Sequence, residues 1–135
     1  MPTINGQTAH VMGFASLGIE EGYRLFTDTT ASHGGKSRVN SYTLIMDVLY
    51  PDSSAGKRRV LFNTNPNNFN PGDFLISKTD GLGIEGEYSG AVTPERWHRI
   101  ACVVHLPDKP TMVKYIDGVR VGTQILPEGI DGRWG

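Results

Sequence analysis

The sequence of 135 residues contains a single cysteine, Cys102, so it cannot form an internal disulfide and a disulfide framework is excluded. Apolar neighbours flank Cys102 on both sides, which favours a small core residue over a catalytic nucleophile. No apolar run approaches the roughly 20 residues that a membrane helix needs. Residues 1–5 lack the charged and apolar segments of a signal peptide. We therefore predict no membrane insertion and, for an exported protein, a chain that is a mature or excised piece.

The charge is balanced, with 13 basic and 14 acidic residues and a net charge of −1. The densest basic run, residues 57–59, is short, whereas a nucleic-acid-binding domain usually presents a broad basic face. Nucleic acid is therefore not an expected partner.

Helical periodicity is absent, and the 17 glycines and 8 prolines are scattered rather than clustered. Short alternating apolar segments separated by turn residues predict an all-β protein made of one domain, residues 1–135. The predicted strands span residues 8–14, 23–27, 41–50, 59–63, 74–77, 82–88, 97–106, 112–116 and 119–123.

Residues 41–50 form the clearest predicted strand, with Tyr42, Leu44, Met46 and Val48 on one face. Apolar residues also occur on the opposite face, which predicts a central strand. Farther along, Asp117-Gly118 lies between two apolar segments and predicts a two-residue type I′ hairpin turn. The Tyr115 ring, just before that turn, is predicted to pack inward.

Motifs for catalysis are few. Glu85 and Glu87 would share one side of a predicted strand, but the third acid of a glucan-hydrolase arrangement is missing. A Gly-x-Ser-x-Gly nucleophile elbow is missing as well, and no glycine-rich segment has the spacing of a phosphate loop. These absences predict a protein that is not an enzyme.

Asparagine is concentrated in the loop between residues 63 and 73, and a tryptophan stands near the end of the chain. The candidate ligand-binding residues are Asn65, Asn67, Asn68, Asn70 and Trp134. Oxygen ligands from Asn63 and Asp73 would allow a weak calcium site, although a plain turn-forming loop is the preferred interpretation. The histidines lack zinc-like spacing, so no other cofactor is expected.

Three segments resemble the laminin G-like domains of the concanavalin A-like superfamily: SYTLIMDV at 41–48, ERWHRIA at 95–101 and KYIDGVRVG at 114–122. They occur in the family's order, and the resemblance covers residues 41–123. It implies a two-sheet antiparallel jelly-roll sandwich. In similar domains residues equivalent to 131–134 lead into further strands, so the resemblance implies a C-terminally incomplete sandwich with an open sheet edge. We expect that edge to be covered by self-association, by pairing with a strand of a partner, or by the predicted N-terminal strands.

The resemblance and the missing catalytic motifs together predict a non-catalytic recognition module that binds glycans or extracellular protein surfaces. The alternative is a structural or assembly subunit of a surface layer, virion or filament with no small-molecule ligand. A polysaccharide-active enzyme is the third and least favoured alternative. Either function implies an extracellular, cell-surface or virion-surface location. The ligand itself is not implied by the scaffold.

Overall fold

The computed structural model describes residues 3–4, 6–17, 21–24, 41–63, 74–84, 86–105 and 109–126. Among these residues regular structure consists of β-strands and one short 3₁₀ turn at Asp52–Ser54. The strands are β1 Thr3–Ile4, β2 Gln7–Thr8, β3 Ser41–Val48, β4 Arg59–Phe62, β5 Phe74–Ile76, β6 Leu82–Ile84, β7 Glu87–Ser89, β8 His98–His105, β9 Thr111–Ile116 and β10 Val119–Ile125.

Two antiparallel four-stranded sheets form a β-sandwich, which confirms the predicted all-β class. Sheet A has the order β10-β9-β8-β3, and sheet B has the order β4-β5-β6-β7. Strands β1 and β2 pair only with each other among the described strands. Within the described part of the chain, no helix is long and apolar enough to cross a bilayer.

The core lies between the two sheets, and all three residues of β5 are buried. Phe74, Ile76 and Leu82 of sheet B meet Ile100 and other side chains of sheet A in one buried cluster. Sheet A contributes Ile100, Cys102, Val104, Met112 and Ile116 to this cluster. The period-2 alternation of β8 and β9 places every second residue inward, as expected of a sheet with one covered face.

The β9–β10 hairpin is confirmed at the predicted turn. Ile116 pairs with Val119, and the two residues between them have positive φ angles, 51° at Asp117 and 81° at Gly118. Positive φ at both central positions defines a type I′ turn. A β-bulge between Arg120 and Gly122 then shifts the register of β10.

Strand β3 has the predicted two faces but not the predicted central position. It lies at the edge of sheet A and pairs with β8 alone among the described strands. The pattern was misleading because Ile45 and Leu49, which suggested burial on the second face, are exposed. Two apolar faces can therefore mark an edge strand whose outer face is left open.

Three other predictions are corrected. Of the strand predicted at 8–14, only Thr8 lies in a strand. Of the strand predicted at 23–27, the described residues Tyr23 and Arg24 do not lie in a strand. Phe14 and Tyr23 make an edge-to-face contact at 5.3 Å but remain exposed, so they do not join the described core. The strand predicted at 82–88 is instead the hairpin β6–β7, because Gly86, with a φ of 97°, lies where the chain reverses. Glu87 therefore does not continue the strand that precedes residue 85.

Tyr115 does not pack inward. Its neighbours Lys114 and Ile116 are the buried residues of β9, so alternation turns Tyr115 to the outer face of sheet A. Register with β8 decided the outcome, since Ile116 lies beside Ile100 in the core.

Candidate functional site

The outer face of sheet A carries a continuous row of β-branched and other apolar side chains. Ile45, Ala101 and Tyr115 align across β3, β8 and β9. Val103 and Val113 form the adjacent row, flanked by Thr43 and Thr123. These side chains range from half-buried to exposed, with Ile45 61% exposed. We refer to Ile45, Ala101, Val103, Val113 and Tyr115 as the outer apolar face.

An ion pair closes this face at the end nearest the β9–β10 turn. The guanidinium of Arg99 donates to both carboxylate oxygens of Asp47, at 2.8 Å from Nε and 2.7 Å from Nη2. The Arg99 hydrogen bond lowers the pKa of Asp47 and outweighs the smaller opposing effect of partial burial. Asp47 thus stays charged but is neutralised within its own sheet.

Further arginines lie at the same end. Arg96 Nη2 is 3.8 Å from Asp117 Oδ2, and Arg120 pairs across the strands with Tyr115. The Arg120 guanidinium donates to Thr123 Oγ1, so it borders the face along β10. The border of the outer apolar face therefore has three guanidinium groups and two carboxylates. At the opposite end Ser41 Oγ and His105 Nδ1 are 3.0 Å apart, which gives the face a polar border there.

A carboxylate, an imidazole and a hydroxyl line up beside this arginine-rich end. His98 Nδ1 is 2.8 Å from Asp117 Oδ2, and His98 Nε2 is 2.9 Å from Thr93 Oγ1. The His98 ring is almost fully buried, whereas Thr93 is exposed. The order acid, base, hydroxyl is that of a hydrolase triad, so its chemistry requires a direct test.

The hydrogen bonds show that the imidazole acts as an anchor. The backbone N–H of Thr93 donates to His98 Nε2 at 3.1 Å, so the lone pair that a general base needs is already engaged. That bond also assigns the proton to Nδ1, which donates to Asp117. The Arg99 N–H donates to the other oxygen of Asp117 at 2.9 Å. The group therefore ties the Thr93 turn to the β9–β10 hairpin.

Asp117 is held as a carboxylate by these donors. Partial burial alone would raise its pKa, but the hydrogen bonds from the Arg99 backbone and from His98 outweigh it, and the pKa is lowered. Asp117 therefore adopts the positive φ of the turn and also accepts hydrogen bonds from His98 and from the Arg99 N–H.

A buried polar cluster joins the two sheets. Lys114 Nζ, on the inner face of β9, donates to Glu87 O at 2.8 Å and lies 3.5 Å from Gln124 Oε1. Gln124 Oε1 also accepts from Ile84 N at 3.1 Å, so the two side chains hold the β6–β7 hairpin. Burial lowers the pKa of Lys114, with a smaller opposing effect from Glu87. A Cβ at Gly83 would stand 2.2 Å from Glu87 O, so this close approach needs glycine.

A second cluster fixes the turn between β5 and β6. Arg59 lies over the Tyr50 ring at 3.7 Å and donates from Nη2 to Asp80 Oδ1 at 2.8 Å. The Tyr50 hydroxyl donates toward the same oxygen at 2.8 Å and toward Val92 O. Burial, followed by the Asp80 hydrogen bond, raises the pKa of Tyr50 to about 12. Asp80 has a φ of 65°, so these contacts stabilise an unfavourable backbone conformation.

The ligand residues predicted from sequence are not placed by the structure. Asn65, Asn67, Asn68, Asn70, Asp73 and Trp134 all lie outside the described residues. Asn63 is described and half-buried directly after β4. Within the described ranges no group of three or more histidine, cysteine, aspartate or glutamate side chains could hold a metal ion. The calcium site remains a prediction.

The sequence analysis missed the His98–Asp117 pair and the buried Lys114. The pair had no local signal, because His98 and Asp117 are 19 residues apart. Ile100 and Ile116 are the last paired residues of β8 and β9 at this end, and His98 and Asp117 lie just beyond them. The strand pairing therefore brings His98 and Asp117 together. For Lys114 the sequence did contain a signal. Met112 and Ile116, two residues before and after it, are apolar, and residues two apart lie on the same face of a strand.

Comparisons with known proteins add no neighbour. No family model, curated protein or solved structure matches the chain. The outer apolar face and its charged border therefore carry the functional argument.

Proposed function

We propose that the domain is a non-catalytic recognition module that binds a protein surface through the outer apolar face of sheet A. The observation that carries the proposal is the continuity of this face across β3, β8 and β9. Scattered exposed apolar residues are ordinary on soluble proteins, but a contiguous group bordered by polar residues marks a contact surface.

The chemistry of the face selects the partner. Valine, isoleucine and threonine have few rotamers, so they lose little side-chain entropy when a partner covers them. Tyr115 adds an amphipathic ring next to Arg120, and tyrosine and arginine are enriched in protein interfaces. Three guanidinium groups against two carboxylates favour a partner whose apolar centre has an acidic border.

A glycan ligand is the less favoured partner. Sugar sites use aromatic platforms and planar polar side chains, whereas Tyr115 is the only aromatic residue of the outer apolar face as defined above. The residues that suggested glycan binding, the asparagines of the 63–73 loop and Trp134, lie mostly outside the described residues. Glycan binding through them stays a separate prediction.

A random-peptide phage library selected on the intact domain tests the proposal. We expect enriched peptides that combine valine, isoleucine or tyrosine with aspartate or glutamate. Their affinity should fall at least about tenfold, equivalent to ~1.4 kcal/mol, in the double variant Val113→Ser/Tyr115→Ser. Val60→Ser is the matched control, because Val60 is an exposed apolar residue on sheet B. Equal loss in both variants, or enrichment of peptides without acidic residues, would contradict the proposed surface.

We further propose that the domain has no hydrolase or lyase activity, and this is tested separately. We expect no reducing-end release from laminarin, alginate or cellulose, and no ester hydrolysis that depends on Thr93. The first expectation rests on the missing third acid of a glucan-hydrolase arrangement. The second rests on His98 Nε2, which already accepts the Thr93 N–H. Hydrolysis lost in Thr93→Val but retained in Thr79→Val would show that the Asp117–His98–Thr93 group is a working triad.

We also propose that the sandwich is a jelly roll of the concanavalin A-like type. In support, the three segments that resemble laminin G-like domains lie on β3, on β8 and on the β9–β10 hairpin, which are neighbours in sheet A. An experimental structure in which the strands have a different neighbour order within the two sheets would contradict this assignment.

A further inference from the structure

Strand β3 is a long edge without the features that usually protect an edge strand. All eight of its residues pair with β8 in an unbroken register. Edge strands are normally blunted by bulges, prolines, lysines or short length. Among the described edges, β10 has a bulge after Arg120, β4 has one after Val60, and β7 has three residues. Strand β3 has none of these, and its one charge, Asp47, is neutralised by Arg99.

The direction of the free main-chain groups follows from one hydrogen-bond pair. Asp117 N donates to Arg99 O at 2.8 Å, and Arg99 N donates to Asp117 Oδ1, so both main-chain groups of Arg99 face β9. These groups alternate along a strand, so those of Ile100 face β3 and those of its partner Met46 face β8. The N–H and C=O groups of Thr43, Ile45 and Asp47 therefore point away from β8, to the side where no described strand pairs with β3.

The inner face of β3 also lacks full cover. Tyr42, Leu44, Met46 and Val48 are only half-buried. Their direct partners on β8 are buried, for example Cys102 opposite Leu44 and Ile100 opposite Met46. Among the described residues, the core therefore loses cover toward β3, on the same side as the main-chain groups that no described strand pairs with. A strand added there would satisfy both deficiencies at once.

We propose that a second copy of this chain occupies the edge, with β3 pairing antiparallel to β3 of its partner and Ile45 opposite the partner's Ile45. Because directly opposite residues lie on the same face, this register preserves the inner and outer faces in both copies. It places Leu44 opposite Met46 and Tyr42 opposite Val48 on the inner side. On the outer side Thr43 faces Asp47, whose carboxylate can accept a hydrogen bond from the threonine hydroxyl.

Paired in this way, the two copies of sheet A become one eight-stranded sheet with a continuous outer apolar face. The inference does not depend on the proposed function, since pairing uses the edge of β3 rather than the face that a partner protein would cover. It does predict two copies of that face per assembly.

Sedimentation and light scattering of the intact chain test the proposal. We expect about twice the 14.8 kDa monomer mass at micromolar concentration. Ile45→Lys should give the monomer mass, because it places two ammonium groups directly opposite each other at the centre of the interface. Val119→Lys is the control and should remain dimeric, since Val119 is 64% exposed against 61% for Ile45 but lies at the β9–β10 turn. A wild-type monomer at ~100 μM would overturn the proposal.

Cross-linking tests the register. Directly opposite residues of a hydrogen-bonded antiparallel pair have Cα atoms ~5.5 Å apart, within the range that a disulfide spans. Ile45→Cys should therefore form a disulfide-linked dimer under mild oxidation, whereas Val119→Cys should not. Cys102 is buried and does not compete. Equal cross-linking of the two variants, or linkage through Leu44→Cys in place of Ile45→Cys, would overturn the proposed register.

Discussion

His98 Nδ1 and Asp117 Oδ2 are 2.8 Å apart, and this bond connects two turns that are distant in sequence. The histidine ring reaches from the start of β8 to the Thr93 backbone on one side and to the hairpin turn on the other. Asp117 also receives the Arg99 N–H, so its two oxygens serve separate donors. One aspartate thus shapes the turn and satisfies two polar groups.

Asp117→Asn should destabilise the domain by about 1–3 kcal/mol, although asparagine tolerates positive φ at least as well as aspartate. Its Nδ2 would face either the His98 Nδ1–H or the Arg99 N–H, and both of these groups are donors. A change of the His98 tautomer would relieve the first conflict but lose the Thr93 N–H bond. Urea unfolding gives the free energy of unfolding. Asp52→Asn, an exposed position, is the control and should shift it by less than about 0.5 kcal/mol.

Gly118→Val should destabilise the domain by about 1–2 kcal/mol or more, because a β-branched residue is strained at positive φ. The φ of Gly118 is 81°, and no atom lies within 4 Å of a Cβ placed there, so steric crowding cannot explain a loss. Gly118→Asn, which tolerates this conformation better, should lose clearly less. Equal melting temperatures for wild type and Gly118→Val would contradict the turn geometry.

Acid should destabilise the domain through Asp47 and Asp117. The Arg99 hydrogen bond lowers the pKa of Asp47, and hydrogen bonds overcome the effect of burial to lower the pKa of Asp117. Both folded-state values lie below the ordinary value of 3.8. Their contribution is therefore fully present above that pH and is lost as the pH falls through the lowered values. The double variant Asp47→Asn/Asp117→Asn should flatten the unfolding free energy below pH 4, as measured by urea titrations. An unchanged slope would exclude these two carboxylates as its source.

Sequence patterns predicted the strands whose period and turn chemistry are local. The Asp117-Gly118 hairpin was predictable because two adjacent residues specify its turn. Strand β3 was predictable as a strand, but its place at the edge was not, since neighbour order depends on pairing between distant segments. Glu87 illustrates the same limit on a shorter scale, because the reversal at Gly86 separates it from the preceding strand.

The candidate site was less accessible to sequence reasoning than the fold. Ile45, Ala101 and Tyr115 come from three strands, and only the registers of β3 with β8 and of β8 with β9 align them. Arg99 and Asp47 likewise meet across strands. The asparagine-rich sequence predicted a binding site in the 63–73 loop instead. A polar loop can be recognised in a sequence, whereas a face shared by three strands cannot.

Cys102 should be inert toward thiol reagents in the folded protein. Burial raises its pKa to about 12, with a smaller opposing effect from Lys114. At pH 8 the thiolate would then be about one part in ten thousand, and the thiolate is the reactive form. Ellman's reagent should therefore label no thiol per chain in buffer and one in 6 M guanidinium. Rapid labelling of the native protein would show that the core opens around β8.

Lys114 should give the domain a distinctive dependence on alkaline pH. Burial lowers its pKa below the ordinary 10.5, so the unfolded state binds more protons than the folded state in the interval between the two values. Stability due to this residue must therefore rise with pH through that interval.

Cys102 acts in the opposite direction above pH 9, because its folded pKa of about 12 exceeds its ordinary value of 9.0. The difference in unfolding free energy between wild type and Lys114→Met cancels most of the Cys102 effect. That difference should move in favour of wild type between pH 7 and 10.5, whereas Lys78→Met, at an exposed position, should show no such trend. A flat difference for Lys114→Met would mean that the ammonium group is not desolvated, and that the core around Gln124 and Gly83 is open to water.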